Sequence, residues 1–427
     1  MQAIINPSTI SGGVDAPTSK SMMQRTFAGA LLHIGETTIF NPGYSDDDQS
    51  ALRIAQELGA TIISQSRDVI KVKSNGVNPL SSYINCGESG LSARLFAPIA
   101  ALSHAKILIN GKGSLLQRPM DMYREIFSDL NVSVSDFNGN LPISVQGPLK
   151  PKSIKIDGSM SSQFLSGLLF ALSFSAREAM SIEVANLKSK PYIDLTIQVL
   201  SKFGKHITHD NYQVFYIDPS VFETKKEVAI TIEGDWSSAA YWLTAGAMNG
   251  SVKLTGLELD SVQADRAILK VLEDAGVNIS VTVSEILIKT TKLKAFEFNA
   301  IDCPDLFPIL SILATGCEGE SRIIGIHRLL NKESNRVESI KDMLKQFNAS
   351  FYIDNDAFYI KGINALQSCS INSYNDHRIV MAAAIGALRA NGPVTINGIE
   401  AVNKSYPDFF GHLSSLGISC AIINNKI

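Results

Sequence analysis

The sequence predicts an α/β protein of two lobes, each an inverted barrel: six repeats of about 72 residues, three per lobe, with parallel helices buried and sheets outside. Three observations predict it. Six segments end alike at a nearly constant step, six other segments read as helices apolar on almost every face, and short alternating strands flank them.

The endings are "AQELGA", "IFSDLNV", "VLSKFGK", "VLEDAGV", "MLKQFNA" and "LSSLGIS". Their Gly or Asn falls at 59, 131, 204, 276, 348 and 417, so successive steps are 72, 73, 72, 72 and 69. Counting back from each gives one apolar face at i, i+3, i+4 and i+7, as in Ala51, Ile54, Ala55, Leu58 and in Ile340, Met343, Leu344, Phe347. Thr196 and His412 are the exceptions. This is the spacing of an amphipathic helix closed by a Gly or Asn C-cap.

Ahead of each ending lies a helix of another kind: "SKSMMQRTFAGALL", "SGLSARLFAPIAAL", "SSQFLSGLLFAL", "SSAAYWLTAGAM", "PDLFPILSILATGC" and "NDHRIVMAAAIGAL". Beyond their first turns these are apolar all round and rich in Ala, Gly and Ser, so they belong inside at close spacing. Alternating segments such as "IKIDG", "AITIEG", "AKILING", "SVKLTG" and "PVTING" read as strands. Each repeat is therefore expected to run strand, buried helix, strand, amphipathic helix, strand.

Composition limits the function. Apolar residues are 45%, charged residues 19% and the net charge −3, so the chain is globular and has no global basic field for nucleic acid. Any anion site must be local. Cysteines 86, 303, 317, 369 and 420 show no CxxC or His-linked spacing, which disfavours zinc and disulfides. Residues 1–10 lack a signal-peptide pattern, and "FLSGLLFALSF" is about half a membrane span. A cytoplasmic protein is expected, with no cofactor, metal, nucleic acid or membrane partner.

The polar residues gather at the starts of the buried helices: Lys20, Ser21 and Arg25; Ser161, Ser162 and Gln163; Ser237 and Ser238; Asp305; Asp376, His377 and Arg378. Helix N-termini favour anions through free N–H groups and the helix dipole. Facing lobes would bring up to six such ends to one cleft. A second polar set recurs after the middle strand, in "LLQRPM", "LKSKPY", "LLNKESNR" and "AVNKSYP", and supplies Arg118, Ser189, Lys190, Lys332, Glu333, Arg336 and Lys404. Read singly, each has a plain alternative: Ser19–Lys20 an N-cap, Gly90 a tight turn, Arg94 a buried structural pair, "NKESNR" a solvated charge run, Asp305 an N-cap. Taken together, several cations, helix-end serines and two or more carboxylates suit two small anionic substrates, one a phosphate and one a carboxylate, with side chains for proton transfer.

In order along the chain, "SKSMMQR", "GESGLSAR", "QRPM", "GSMSSQF", "SKPYID", "EGDWSSAAY", "PDLFPIL", "KESNR", "YNDHR" and "NKSYPDFF" resemble the EPSP synthase (3-phosphoshikimate 1-carboxyvinyltransferase) family of enolpyruvyltransferases over essentially the whole length. The resemblance implies transfer of the enolpyruvyl group of phosphoenolpyruvate to the 5-hydroxyl of shikimate 3-phosphate, through a tetrahedral intermediate, on the way to chorismate and the aromatic amino acids. It implies that Lys20 contacts both substrates, that Ser21 and Arg25 hold shikimate 3-phosphate, and that Ser161, Ser162 and Ser189 bind its phosphate. Tyr192 would lie beside the ring and Gln163 would reach both substrates. Arg118, Arg336, Arg378 and Lys404 would grip phosphoenolpyruvate, Gly90 would leave room for it, and Lys332 would approach the shikimate side. Asp305 would take the 5-hydroxyl proton, Glu333 and Lys20 would move protons at the methyl carbon, and His377 would position phosphate or Glu333.

The lobes are expected to be residues 1–17 with 234–427, and 18–233, in a monomer that closes on its substrates. Three departures stand out: Asn335 where many members have Asp, Arg328 where some have Asn, and Glu88–Ser89 where Asn–Ala is usual before Gly90. The sister enolpyruvyltransferase acting on UDP-N-acetylglucosamine is the nearest rival, but it usually has a loop cysteine and none lies near Arg118. A six-unit nucleic-acid clamp is the non-enzymatic alternative, and the pI near 6.2 and the polar helix ends speak against it.

Overall fold

The computed structural model describes residues 1–424. Twelve α-helices are formed among them: α1 Lys20–Leu32, α2 Asp46–Glu57, α3 Gly90–Ala100, α4 Met122–Asp129, α5 Ser162–Ser175, α6 Pro191–Lys202, α7 Trp236–Asn249, α8 Ile268–Asp274, α9 Phe307–Thr315, α10 Arg336–Gln346, α11 His377–Ala387 and α12 Phe409–Ser415. The odd-numbered helices are buried along nearly their whole length, and the even-numbered ones bury one face. All six residues that follow the even-numbered helices, Gly59, Asn131, Gly204, Gly276, Asn348 and Gly417, sit at positive φ. A left-handed residue there turns the chain off the helix at little steric cost to Gly and modest cost to Asn.

The chain divides into two compact units, Met1–Pro17 with Gly234–Ile427, and Thr18–Glu233. Each holds three four-stranded mixed sheets, and each sheet is separate. In one, Ile154–Asp157 runs parallel to Met180–Ala185, which pairs antiparallel with Val214–Ile217, which pairs antiparallel with Thr208–Asp210. The others repeat this pattern, with three strands supplied from distant parts of the chain. Ile10–Asp15 leaves its sequence neighbours to pair with Gly250–Thr255, and Glu227–Thr231 pairs with Gly35–Phe40. Gln2–Ile5 lies between Val394–Asn397 and Cys420–Ile423, so both ends of the chain complete one sheet.

Each sheet therefore has one strand more than the expected strand–helix–strand–helix–strand order. In five of the sheets the additional strand comes from a hairpin, and the sequence carried a signal at one of them: Asn138–Gly139, both at positive φ, join Ser133–Phe137 to Asn140–Gln146. Others, such as Thr61–Gln65, are almost entirely exposed and show no apolar alternation.

Small residues let the buried helices approach. A Cβ on Gly167 of α5 would strike the Arg94 carbonyl oxygen of α3, and one on Gly386 of α11 would come within 2.9 Å of the Phe347 ring. Trp236 and Trp242, both fully buried, anchor α7 in the other core; side chains of this size each gain about 2–3 kcal/mol on burial. Among the described residues no helix is long and apolar enough to cross a membrane.

Candidate active site

The polar residues singled out in the sequence form two clusters, one in each unit. In Thr18–Glu233 the first turns of α1, α3 and α5 are tied to one another. Ser19 caps α1, and Gln24, one turn on, accepts hydrogen bonds from Ser89 and Ser92 of α3 through its Oε1 at 2.8 and 2.9 Å. Ser89, one of the departures from the family pattern, thus both caps α3 and binds α1. Lys20 Nζ lies 2.9 Å from Asp47 Oδ2 of α2. Arg25, 1% exposed, donates to Ser21 O at 2.8 Å, Thr196 Oγ1 at 2.9 Å and Tyr192 O at 3.2 Å. Burial among these neutral oxygens lowers its pKa to about 10. Thr196, an exception to the apolar face, is there to hold Arg25.

Ser161 caps α5 and accepts from Gln163 N, while Gln163 Oε1 accepts from Arg94 Nη1 at 2.8 Å. Arg94 also donates to Pro119 O and stacks over Phe164. Gly90 opens α3, and a Cβ there would lie 2.8 Å from Arg118 Nη1 and 3.2 Å from Arg94 Nη1. Gly90, Arg94, Arg118 and Gln163 are one patch. Ser162, buried, follows the cap, and Ser189, at φ 53°, precedes α6 with Tyr192 N bonded to its carbonyl. Arg94, read in the sequence as a buried structural pair, is 6% exposed and is paired with Gln163 and Pro119 O.

The other unit is built differently. Asp305, in the 3-10 turn before α9, makes no cap. Its Oδ1 lies 2.6 Å from Arg336 Nη1 and 3.3 Å from Lys332 Nζ, and its Oδ2 3.5 Å from Arg378 Nη2. Burial would raise its pKa, but Lys332, Arg336 and Arg378 outweigh it and hold the carboxyl well below its ordinary value. Arg336, fully buried at the start of α10, is surrounded by carboxylates: Asp305, Glu333 Oε2 at 2.6 Å and Asp376 Oδ2 at 2.8 Å. Removing one partner of such a buried pair typically costs about 3–5 kcal/mol. Asn335 caps α10 while those three acids hold Arg336.

Asp376 caps α11 through Arg378 N and also accepts from Ser334 Oγ at 3.0 Å. Of "NDHR", Asp376, His377 and Arg378 are buried, and Asp376 is the hub that joins the starts of α10 and α11. His377 Nδ1 lies 3.9 Å from Asp376 Oδ1. Arg378 is 3% exposed, and its Nε and Nη1 are buried with no hydrogen-bond partner among the described residues. Burial works against its charge, but Asp305, Tyr241, Asp235 and Asp265 more than offset that and raise its pKa. Lys404 Nζ donates to Asn375 O at 2.6 Å. Arg328 donates to Ile301 O.

Recessed cations stand at the starts of buried helices in both units, with carboxylates among them in one, an arrangement that suits small anionic ligands. A family model for EPSP synthase (3-phosphoshikimate 1-carboxyvinyltransferase) matches residues 4–413. The chain is 37% identical to the 3-phosphoshikimate 1-carboxyvinyltransferase of Clostridium acetobutylicum, over 97% of this chain and 96% of that protein. It is 35% identical to that of Clostridium kluyveri, over 97% and 96%. The solved EPSP synthase of Acinetobacter baumannii shares the fold, with a TM-score of 0.82 at 24% identity over 99% of this chain and 100% of that one. The chain belongs to the EPSP synthase family.

Proposed function

We propose that the two clusters serve one reaction, the transfer of the enolpyruvyl group of phosphoenolpyruvate to the 5-hydroxyl of shikimate 3-phosphate with release of phosphate. The family match over residues 4–413 supports the overall activity. The observation that carries the residue-level reading is Asp305, an ionised carboxylate held among Lys332, Arg336 and Arg378.

In this reading Ser161, Ser162 and Ser189 take the 3-phosphate, and Lys20, Ser21, Arg25, Gln163 and Tyr192 take the rest of the acceptor. Arg118, Arg378 and Lys404 take phosphoenolpyruvate beside Gly90, while Arg336 holds Asp305, Glu333 and Asp376 in place. Protonation of the phosphoenolpyruvate methylene puts cationic character on C2. The 5-hydroxyl attacks there and gives its proton to Asp305, and the tetrahedral adduct then loses phosphate and a methyl proton. Asp305 is a weak base while three cations face it. An anion that occupies Arg378 and screens Lys332 weakens that field and makes Asp305 more basic, so acceptor deprotonation is tied to donor binding. Glu333 and Lys20 carry the methyl-carbon protons, and His377 orients phosphate or Glu333.

Six repeats in two inverted-barrel lobes, a monomer and a cytoplasmic setting complete the reading. Phosphate release is the test. The chain should release phosphate from phosphoenolpyruvate with shikimate 3-phosphate as acceptor and not with UDP-N-acetylglucosamine; the reverse preference overturns the assignment.

A further inference from the structure

The even-numbered helices bury an apolar face, and Thr196 interrupts that of α6 with a side chain that is completely inaccessible. A Thr inside a helix commonly turns its hydroxyl back to the carbonyl one turn earlier. Thr196 does so, donating to Tyr192 O at 2.8 Å. A hydroxyl placed for that bond alone would touch no other polar group. Thr196 Oγ1 also accepts from Arg25 Nε of α1 at 2.9 Å and lies 2.8 Å from Ser166 Oγ of α5, which is equally buried. A hydroxyl has one hydrogen and two lone pairs. The hydrogen goes to Tyr192 O, so Ser166 is the donor in its pair and both lone pairs of Thr196 are filled.

The same count applies to Arg25. A guanidinium carries five N–H groups in a rigid plane. Nε is bound to Thr196, Nη1 gives one hydrogen to Ser21 O at 2.8 Å and Nη2 gives one to Tyr192 O at 3.2 Å. Two N–H groups remain, one on each terminal nitrogen, with no partner among the described residues. Of the three ties, only that to Thr196 is made to a side chain. The helices that meet at this hydroxyl, α1, α5 and α6, are also those whose starts bear Ser21, Ser162 and Tyr192.

We propose that Thr196 is a positioning residue for shikimate 3-phosphate: its hydroxyl, steadied by Ser166, fixes the plane of the Arg25 guanidinium and turns the two remaining N–H groups to that substrate. The inference rests on the reading of Arg25 as a shikimate 3-phosphate contact. It gives a function to a residue that breaks the apolar repeat, and it gives Ser166 one through Thr196.

Thr196→Val keeps the branched shape and removes the hydroxyl. KM for shikimate 3-phosphate should rise about tenfold, the loss of one hydrogen bond to a charged group, while KM for phosphoenolpyruvate and kcat change little. Thr196→Ser restores the hydroxyl and should return KM for shikimate 3-phosphate to the wild-type value, although the lost methyl group lowers the thermal midpoint. A role in packing alone would move the midpoint and leave KM in place. Ser166→Ala keeps the Arg25 bond and should raise the same KM about two- to threefold; it carries the test if Thr196→Val does not fold. An unchanged KM for shikimate 3-phosphate in the variant that folds overturns the proposal, and so does an equal rise for both substrates. Arg25→Lys separates the two claims. If it leaves KM for shikimate 3-phosphate unchanged, the reading of Arg25 falls. If Arg25→Lys raises that KM while Thr196→Val and Ser166→Ala match the wild type, only the role of Thr196 is overturned.

Discussion

Arg25 and Arg336 are equally buried, one in each unit, and their acidities move in opposite directions. Arg25 sits among a hydroxyl and two carbonyl oxygens, and burial lowers its pKa to about 10. Around Arg336 burial acts the same way, but Asp376, Glu333 and Asp305 overcome it and raise the value well above the ordinary one. Neutral oxygens satisfy a guanidinium without cancelling its charge, so Arg25 still presents its field to an incoming anion. Carboxylates cancel it. Arg336 is thereby spent on holding three acids in place, and those acids, with Lys332 and Arg378, form a balanced network in which protons can move. The guanidinium charge left open by neutral partners lies in the Thr18–Glu233 cluster, and the acids that surround a guanidinium lie in the other.

The largest effect should come from breaking the acidic side. Asp305→Asn removes the carboxylate that Lys332, Arg336 and Arg378 share. With no acceptor for the hydroxyl proton, kcat should fall about a thousandfold, while the fold stays intact because the amide oxygen still accepts hydrogen bonds. Steady-state phosphate release, read beside the thermal midpoint, checks this; a near-normal kcat would remove Asp305 from proton transfer and dissolve the division between the clusters.

Much of this was written in the sequence, and the limit of what was legible has a physical form. The six C-cap residues were legible because a left-handed turn is a local requirement that Gly and Asn meet. The buried helices were legible because an all-round apolar face admits one environment. Asp47 and Asp265 were not. Asp47 stands in "SDDD", which reads as ordinary acidic enrichment at a helix start, and only the fold brings it to Lys20. Asp265 stands in "QADRA", with no local mark of burial, and its neighbours lie at 235, 305 and 378. Arg336 was expected to grip a substrate, and the type of residue was informative; its saturation by three acids depends on contacts 3, 31 and 40 residues away.

A second comparison concerns stability, because the acidic exception in the Thr18–Glu233 unit runs opposite to Asp305. Asp48 is buried in the capping box of α2, and desolvation pushes its pKa up to about 7 despite two hydrogen bonds from Ser45. An unfolded Asp titrates near pH 3.9. Between about pH 4 and 7 the folded state therefore keeps a proton that the unfolded state has lost, and stability from this group declines as pH rises through that window. Asp305, held low, contributes stability above the unfolded value and loses it as pH falls. Asp48→Asn cannot titrate. Its unfolding free energy relative to the wild type should improve by about 1.4 kcal/mol per pH unit across the window. Denaturant midpoints at pH 5 and 6.5 read this; parallel pH dependences for the two proteins would mean Asp48 is ionised.

The smallest effect sharpens the comparison at the anion-capturing side. Gly90 sits where a Cβ would meet Arg118 Nη1 at 2.8 Å and Arg94 Nη1 at 3.2 Å. Both obstacles are ends of long side chains, so Gly90→Ala should be accommodated by shifts of a few tenths of an ångström without loss of fold. The cost falls on position: Arg118 moves off its ligand while Arg94 remains tied to Gln163 and Pro119. KM for phosphoenolpyruvate should rise several-fold, about 1 kcal/mol of binding, with kcat nearly unchanged because Asp305 and its cations lie in the other cluster. A fall in kcat of the same size as the rise in KM would show that Arg118 acts in the chemical step as well as in donor binding.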